Sequence, residues 1–127
     1  YKPVEVLKAR DFILVFDNQL KIENIKIKRS EFDKINIDPG GVVFTSQGNN
    51  CDFVSRFFTP QSSIFEDPVT GSSHCSLVPY WSRKLNKKKL KSIQLSERTG
   101  ILECEAHKNY VSVSGNAIIY LKGKIFI

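Results

Sequence analysis

Phe65-Glu66-Asp67-Pro68-Val69-Thr70-Gly71-Ser72-Ser73-His74, followed at once by Cys75, Leu77, Val78, Tyr80 and Trp81, decides how this chain folds. Two carboxylates stand beside a proline, a Thr-Gly-Ser-Ser turn follows, and an apolar run comes after it. The pattern predicts a loop entering the N-terminus of a buried helix that begins near Gly71. Cys75, Val78, Trp81 and Leu85 fall at helical spacing, and Leu77 with Tyr80 widens the stripe. A helix apolar over so much of its circumference is expected at the centre of the fold, with sheet around it. Pro79 lies inside the run, where its missing N–H and its ring bend a helix unless they come early. Asn86-Lys87-Lys88-Lys89 ends the run, with cations near the helix's negative pole.

On either side the pattern is β. Residues 3–7 alternate weakly, and Asp11–Asp17 is an apolar block bounded by acids that predicts a strand buried on both faces. Leu20, Ile22, Ile25 and Ile27 are spaced through lysines, with a bend expected at Glu23-Asn24. Ser30-Glu31-Phe32-Asp33 has the form of a helix N-cap with an acid near the start of the turn, and Asp38-Pro39-Gly40-Gly41 stops that short helix. Gly41–Ser46 is a second strand, Gln47–Asn50 a turn, and Cys51–Thr59 a third strand. In that third strand Phe53, Ser55 and Phe57 share one face and Val54, Arg56 and Phe58 the other. Arg56 needs an anionic partner if buried there, and Asp52 or Glu66 could supply it. Beyond the helix, Leu90–Leu95, Ile101–Ala106, Tyr110–Ser114 and Asn116–Leu121 predict further strands, with Lys122-Gly123 turning into Lys124–Ile127. The sum is an α+β fold, a curled, largely antiparallel sheet of about eight strands around one central helix.

The chain has 127 residues, 41% of them hydrophobic and 25% charged, which suits one soluble domain over residues 1–127. No apolar run approaches the roughly 20 residues of a membrane-spanning helix, so no membrane partner is expected. The opening Tyr1-Lys2-Pro3-Val4-Glu5 does not read as a signal peptide, and a cytoplasmic location is expected. The sequence has no Met, so Tyr1 is not expected to be a natural start, and the chain is expected to be a fragment or one domain of a longer protein. The net charge of +6 is concentrated in Lys21–Arg29 and Arg83–Lys91. A solvated basic face accounts for it more simply than nucleic-acid binding does. Cys51, Cys75 and Cys104 are an odd, widely spaced set without a Cys-x-x-Cys, which predicts reduced thiols rather than a disulfide framework. Joined by His74 and His107 they could form a metal site only through a coincidence of folding, and no metal is expected.

The opening stretch carries the candidate chemistry. A carboxylate at Asp67 is favoured as the anion near a helix N-terminus, while its neighbour Glu66 pushes the other way. Coupled carboxylates suit general acid/base work. Asp67 could instead only cap the loop by accepting backbone N–H groups. Thr70 or Ser72 could be an ordinary N-cap, or Ser72 and the amides of Gly71–Ser73 could hold a carboxylate or phosphate. The tetrapeptide is not a Walker A loop, and nothing has the form Gly-x-Ser-x-Gly. His74 and Cys75 are adjacent on the presumed helix, so their side chains diverge and cannot act as a nucleophile–base pair. Cys75 is expected to be a small core residue. His74 could line the site mouth or pack on a strand.

Taken in order, Asp52-Phe53-Val54-Ser55-Arg56-Phe57-Phe58-Thr59-Pro60, Glu66-Asp67-Pro68-Val69-Thr70-Gly71-Ser72-Ser73-His74, Pro79-Tyr80-Trp81 and Gln94-Leu95-Ser96-Glu97-Arg98-Thr99-Gly100 resemble the C-terminal half of the phenazine-biosynthesis (PhzF-like) isomerase family. The resemblance covers essentially the whole chain. It implies one lobe of a diaminopimelate-epimerase-like fold, in which two similar lobes each wrap a sheet around a helix and the active site lies between them. It implies proton transfer that isomerises a small carboxylate-bearing substrate without metal or cofactor. The family's loop acid maps to Asp67 and its substrate-contacting serine to Ser72. Gly71 and Ser73 would join Ser72 in binding substrate, with Arg56, Glu66, Thr70 and His74 in support. Three departures stand out. Ser63 replaces a Gly, Arg98-Thr99-Gly100 replaces an Arg-Gly-Gly turn, and the N-terminal lobe, which carries the family's principal Glu and a Gly-His motif, is absent from these residues.

The leading expectation is therefore an isomerase domain that works with a missing N-terminal lobe. The competing one is a non-catalytic module that binds a small anion or a protein on the same fold. An apolar cleft face, left bare, could also pair two copies of the chain.

Overall fold

The computed structural model describes residues 1–37 and 40–126. Among them eight strands form one sheet. β1 (Glu5–Lys8), β2 (Phe12–Val15), β3 (Val42–Gln47), β4 (Phe53–Phe58), β6 (Lys89–Gln94), β7 (Gly100–Ala106) and β8 (Val111–Ser114) lie side by side in that order, and the short β5 (Glu66–Asp67) pairs with β4. The β2–β3 and β4–β6 pairs are parallel and the rest antiparallel. Parallel neighbours need a crossover, and these two joins are where the helices lie. α1 (Gln19–Asn24) and α2 (Arg29–Phe32) lead from β2 to β3, and α3 (His74–Leu85) leads from β4 to β6.

The alternation along β4 sorts the core into two faces. Phe53 and Phe57 join Ile13, Val15, Val43, Leu90 and Leu102 beneath α3, which contributes Leu77, Val78 and Trp81. Val54 and Phe58 join Val42, Phe44 and Phe16 on the other face, closed by Ile22 of α1 and Phe32 of α2. Burying each large apolar side chain contributes about 1.5–3 kcal/mol, and Leu77 and Val78 are fully enclosed. Trp81 also donates its indole N–H to Thr45 Oγ1 at 2.9 Å, and that hydroxyl passes its proton to the Val54 carbonyl at 2.7 Å.

Several sequence expectations are corrected. The expected bend at Glu23-Asn24 is the end of a helix, α1, whose cap is Asn18; its side chain accepts the Lys21 N–H at 3.1 Å. Ser30 is not a cap, because α2 starts at Arg29 after Lys28 and has no side-chain cap bond. The stop expected at Asp38-Pro39 lies outside the described residues. α3 begins at His74, and Gly71–Ser73 form the turn before it. Cys75 is exposed, not core. The inner stripe runs His74, Leu77, Val78, Trp81, because a histidine with both nitrogens paired packs inward and leaves its neighbour facing out. Pro79 lies inside α3 and supplies no N–H to the carbonyl of Cys75, an exposed residue four positions back. Asn86 closes the helix in the left-handed region at φ 50°.

The strand and hairpin expected over Asn116–Phe126 are absent from the described residues. Ile118, Tyr120 and Phe126 are 95%, 99% and 92% exposed. A strand needs a neighbour for its N–H and C=O groups, and β8 ends at Ser114 without one beyond it. Thr99, the β-branched residue at the tight turn, is held at φ 54° and donates its N–H to the Ser96 carbonyl at 3.0 Å.

Candidate active-site wall

β4 pairs with β3 along one edge and makes two shorter ladders along the other. β6 pairs through Phe53–Ser55, and β5 through Phe57–Phe58. Gln94 lies opposite Ser55 and Asp67 opposite Phe57, so the two follow one another along the same edge and point to the α3 face. Glu66 lies opposite Phe58 and points the other way. One β bridge thus separates the adjacent carboxylates onto opposite faces of the sheet.

Glu66 is neutralised there. Arg56 Nε and Nη2 donate to its two carboxylate oxygens at 2.7 and 2.8 Å. Arg56 Nη1 donates to the carbonyls of Ile22 and Ile25 at the end of α1, both at 3.2 Å, where a helix's negative pole favours a cation. The adjacent carboxylates therefore do not share one site: Glu66 pairs with Arg56, and Asp67 lies on the other face of the sheet. Asp52, the other candidate partner for Arg56, instead accepts from Lys87 Nζ at 2.7 Å and from the Lys91 N–H at 2.7 Å.

Asp67 is half-buried and accepts the Thr70 hydroxyl on Oδ2 at 2.7 Å. It receives no backbone N–H among the described residues, so the loop-capping alternative has no hydrogen bond to support it. Gln94, fully buried, holds the loop from below. Its Oε1 accepts the Thr70 N–H at 2.8 Å, and its Nε2 donates to the Asp67 carbonyl at 2.7 Å. Ser96 Oγ donates to the Pro68 carbonyl at 2.7 Å. Gly100, at the start of β7, lies so close to Val69 that a Cβ there would collide with the Val69 side chain.

The turn that follows faces outward. Gly71 and Ser72 are exposed, and a Cβ built on Gly71 would meet nothing within 4 Å. The N–H groups of Gly71, Ser72 and Ser73 meet no acceptor among the described residues. Neither Thr70 nor Ser72 caps the helix, and the cap residue Ser73 turns inward, donating Oγ to the Thr70 carbonyl at 2.9 Å. His74 is fully buried, so it packs on a strand and does not line a mouth. Its Nδ1 lies 2.8 Å from the Thr70 carbonyl, which can only accept, so Nδ1 carries the proton; Nε2 then accepts the Ser92 hydroxyl at 2.7 Å. Burial pushes its pKa below the ordinary 6.5, against the opposing effect of the Thr70 carbonyl.

The structure thus brings Asp67, Thr70, Gly71, Ser72 and the Ser73 amide to one place. It assigns Arg56 and Glu66 to the opposite face and His74 to the floor. Gln94 carries no role in the sequence reading. Its signal was its phase: Leu90, Ser92 and Gln94 share the inward face of β6, and an inward glutamine must bond something. A cleft of about 400 Å3 lined by Glu66, Pro68, Ser96, Glu97 and Arg98 opens beside the loop but does not include Gly71 or Ser72. The candidate site is accordingly an open wall rather than an enclosed cavity. Among the described residues no three His, Cys, Asp or Glu side chains gather as a metal ion would require, and no helix is long and apolar enough to cross a membrane.

A mixed, open sheet with one dominant helix, and an acid loop running into the helix start, define an α+β fold. The chain belongs to the phenazine biosynthesis-like protein family, whose pattern it matches over residues 4–123. It is 43% identical to an uncharacterised isomerase of Pseudomonas aeruginosa, over 97% of this chain and 47% of that protein. Its fold is similar to the crystal structure of a putative phenazine biosynthesis PhzC/PhzF protein from Clostridium difficile, with a TM-score of 0.87 and 44% identity over 98% of this chain and 48% of that one. A PhzF-family protein from Enterococcus faecalis superposes with a TM-score of 0.88 at 37% identity, over 99% and 48%. The chain spans about half the length of the curated relatives it matches.

Proposed function

We propose that this chain is the C-terminal lobe of a two-lobe PhzF-type isomerase and forms one wall of its active site. Asp67 moves a proton to or from a carbon of a small carboxylate-bearing substrate. The exposed Ser72 hydroxyl and the amides of Gly71–Ser73 hold the substrate carboxylate, at a helix start that favours an anion. The missing N-terminal lobe supplies the second acid/base and the opposite wall. The reaction is proton transfer within one molecule and calls on no cofactor or metal.

One observation carries this reading. Asp67 lies on the opposite face of the sheet from Glu66, is bonded among the described residues only by the Thr70 hydroxyl on Oδ2, and stands in the loop that runs into Gly71–Ser73, whose N–H groups meet no acceptor among those residues. That is the layout acid/base isomerisation of a carboxylate requires, and isomerase is the word attached to the P. aeruginosa relative.

The test uses the full-length two-lobe protein and its Asp67→Asn variant. The variant is expected to melt as the wild type does and to lose turnover by about 10²-fold or more, the scale of a general acid/base. Full turnover in Asp67→Asn removes the assignment.

A further inference from the structure

We propose that Gln94 and Thr70 form a one-way hydrogen-bond relay that fixes Asp67 Oδ2 as an acceptor and so directs the transferable proton to Oδ1. The proposal rests on Asp67 being the proton-transferring group, and makes Gln94 and Thr70 positioning residues for it.

The direction of the relay follows from the partners at its buried end. The Thr70 N–H can only donate, so the Gln94 atom 2.8 Å from it is the oxygen. The Asp67 carbonyl can only accept, so the atom 2.7 Å from it is the nitrogen. A flipped amide would set donor against donor and acceptor against acceptor. The other Nε2 proton is aimed at Thr70 Oγ1, 3.2 Å away. The hydroxyl therefore accepts from Gln94, and its single proton is left for Asp67 Oδ2, 2.7 Å away. Gln94 is 0% exposed, so no water competes for its amide. Its backbone is fixed by β6, and β6 shares an edge of β4 with the strand that carries Asp67.

Oδ2 accepts whatever the protonation state of Asp67. Oδ1 has no partner among the described residues. When Asp67 takes a proton, the substrate C–H bond breaks, an Oδ1–H bond forms, and the electron pair stays on the substrate carbon. The reverse step returns the proton from Oδ1. Because the loop is pinned at its carbonyl, its N–H and its hydroxyl by one side chain, Oδ1 is presented in a single orientation.

The test needs no substrate. In the full-length two-lobe protein, labelled with 15N, the side-chain NH2 signals of Gln94 are followed as the pH falls through the carboxylate range, over the interval in which core amide signals stay in place. The signals are expected to shift in the wild type, to stay fixed in Asp67→Asn, to lose most of the shift in Thr70→Val, and to keep it in Thr70→Ser. A Gln94 that merely packs the loop, and feels Asp67 only through its bond to the Asp67 carbonyl, would shift as much in Thr70→Val as in the wild type. No shift in the wild type, or the same shift in Asp67→Asn or Thr70→Val, overturns the relay. Loss of turnover in Asp67→Asn of the two-lobe protein without this coupling would leave the isomerase reading standing and remove the relay alone.

Discussion

His74 shows how one side chain ties the candidate site to the stability of the fold. It stands beneath the turn, with Nδ1 on the Thr70 carbonyl and Nε2 on Ser92, and burial holds its pKa below 6.5. The unfolded chain binds this proton more readily than the folded one. Stability therefore rises with pH through this interval. The contribution of a neutral His74 is complete above pH 6.5 and is lost as pH falls through the lowered folded value. Melting temperature measured from about pH 8 down to about pH 5 should fall more steeply in the wild type than in His74→Asn. Parallel curves would contradict this. At this scale the sequence was legible where a residue type has one way to be satisfied. Arg56 among phenylalanines demanded a carboxylate and found Glu66. It was not legible where two residue types could trade places: Cys75 and His74 each fit a helix face, and only the carbonyl of Thr70 and the hydroxyl of Ser92 decide that the histidine is inside.

Elements are held in place here by side chains reaching between them. Arg56 on β4 grips β5 through Glu66 and the end of α1 through two carbonyls. Replacing it with Leu leaves a half-buried carboxylate and two carbonyls without their donor. Arg56→Leu is expected to cost about 2–3 kcal/mol in urea unfolding, and Arg56→Lys most of that, because an ammonium cannot span both carboxylate oxygens. A change below about 0.5 kcal/mol, typical of a surface substitution, would show that the pair does not tie these elements together. β1 and β6 to β8 were readable from period-two alternation, and β2 to β4 from short apolar runs, the pattern a strand leaves when both of its faces are covered. α1 was not, because six residues are too few to display a helical period and its cap, Asn18, follows directly on a strand-like block. The expected strand over Asn116–Leu121 failed for a different reason. Alternation marks what a segment is able to pair with, and among the described residues it has no partner.

The whole molecule has a buried core on both faces of its sheet and one segment that buries nothing. Ile118, Ile119, Tyr120 and Leu121 are each more than four-fifths exposed, as are Ile125 and Phe126. The curated relatives carry about as much chain again. The second lobe proposed above is the surface on which we expect these side chains to lie. Limited proteolysis should cut 116–126 at least about tenfold faster in this chain than in the full-length two-lobe protein, the ratio that about 1.4 kcal/mol of added protection gives; equal rates would contradict that placement. The central claim, that Asp67 exchanges a proton with a substrate carbon in the assembled site, is met most directly by isotope transfer. Full-length protein is incubated with small-carboxylate metabolites in D2O, and carbon-bound deuterium is read by mass spectrometry. The wild type should label a carboxylate at carbon and Asp67→Asn should label it about 10²-fold more slowly or less; equal labelling by the two would contradict the account.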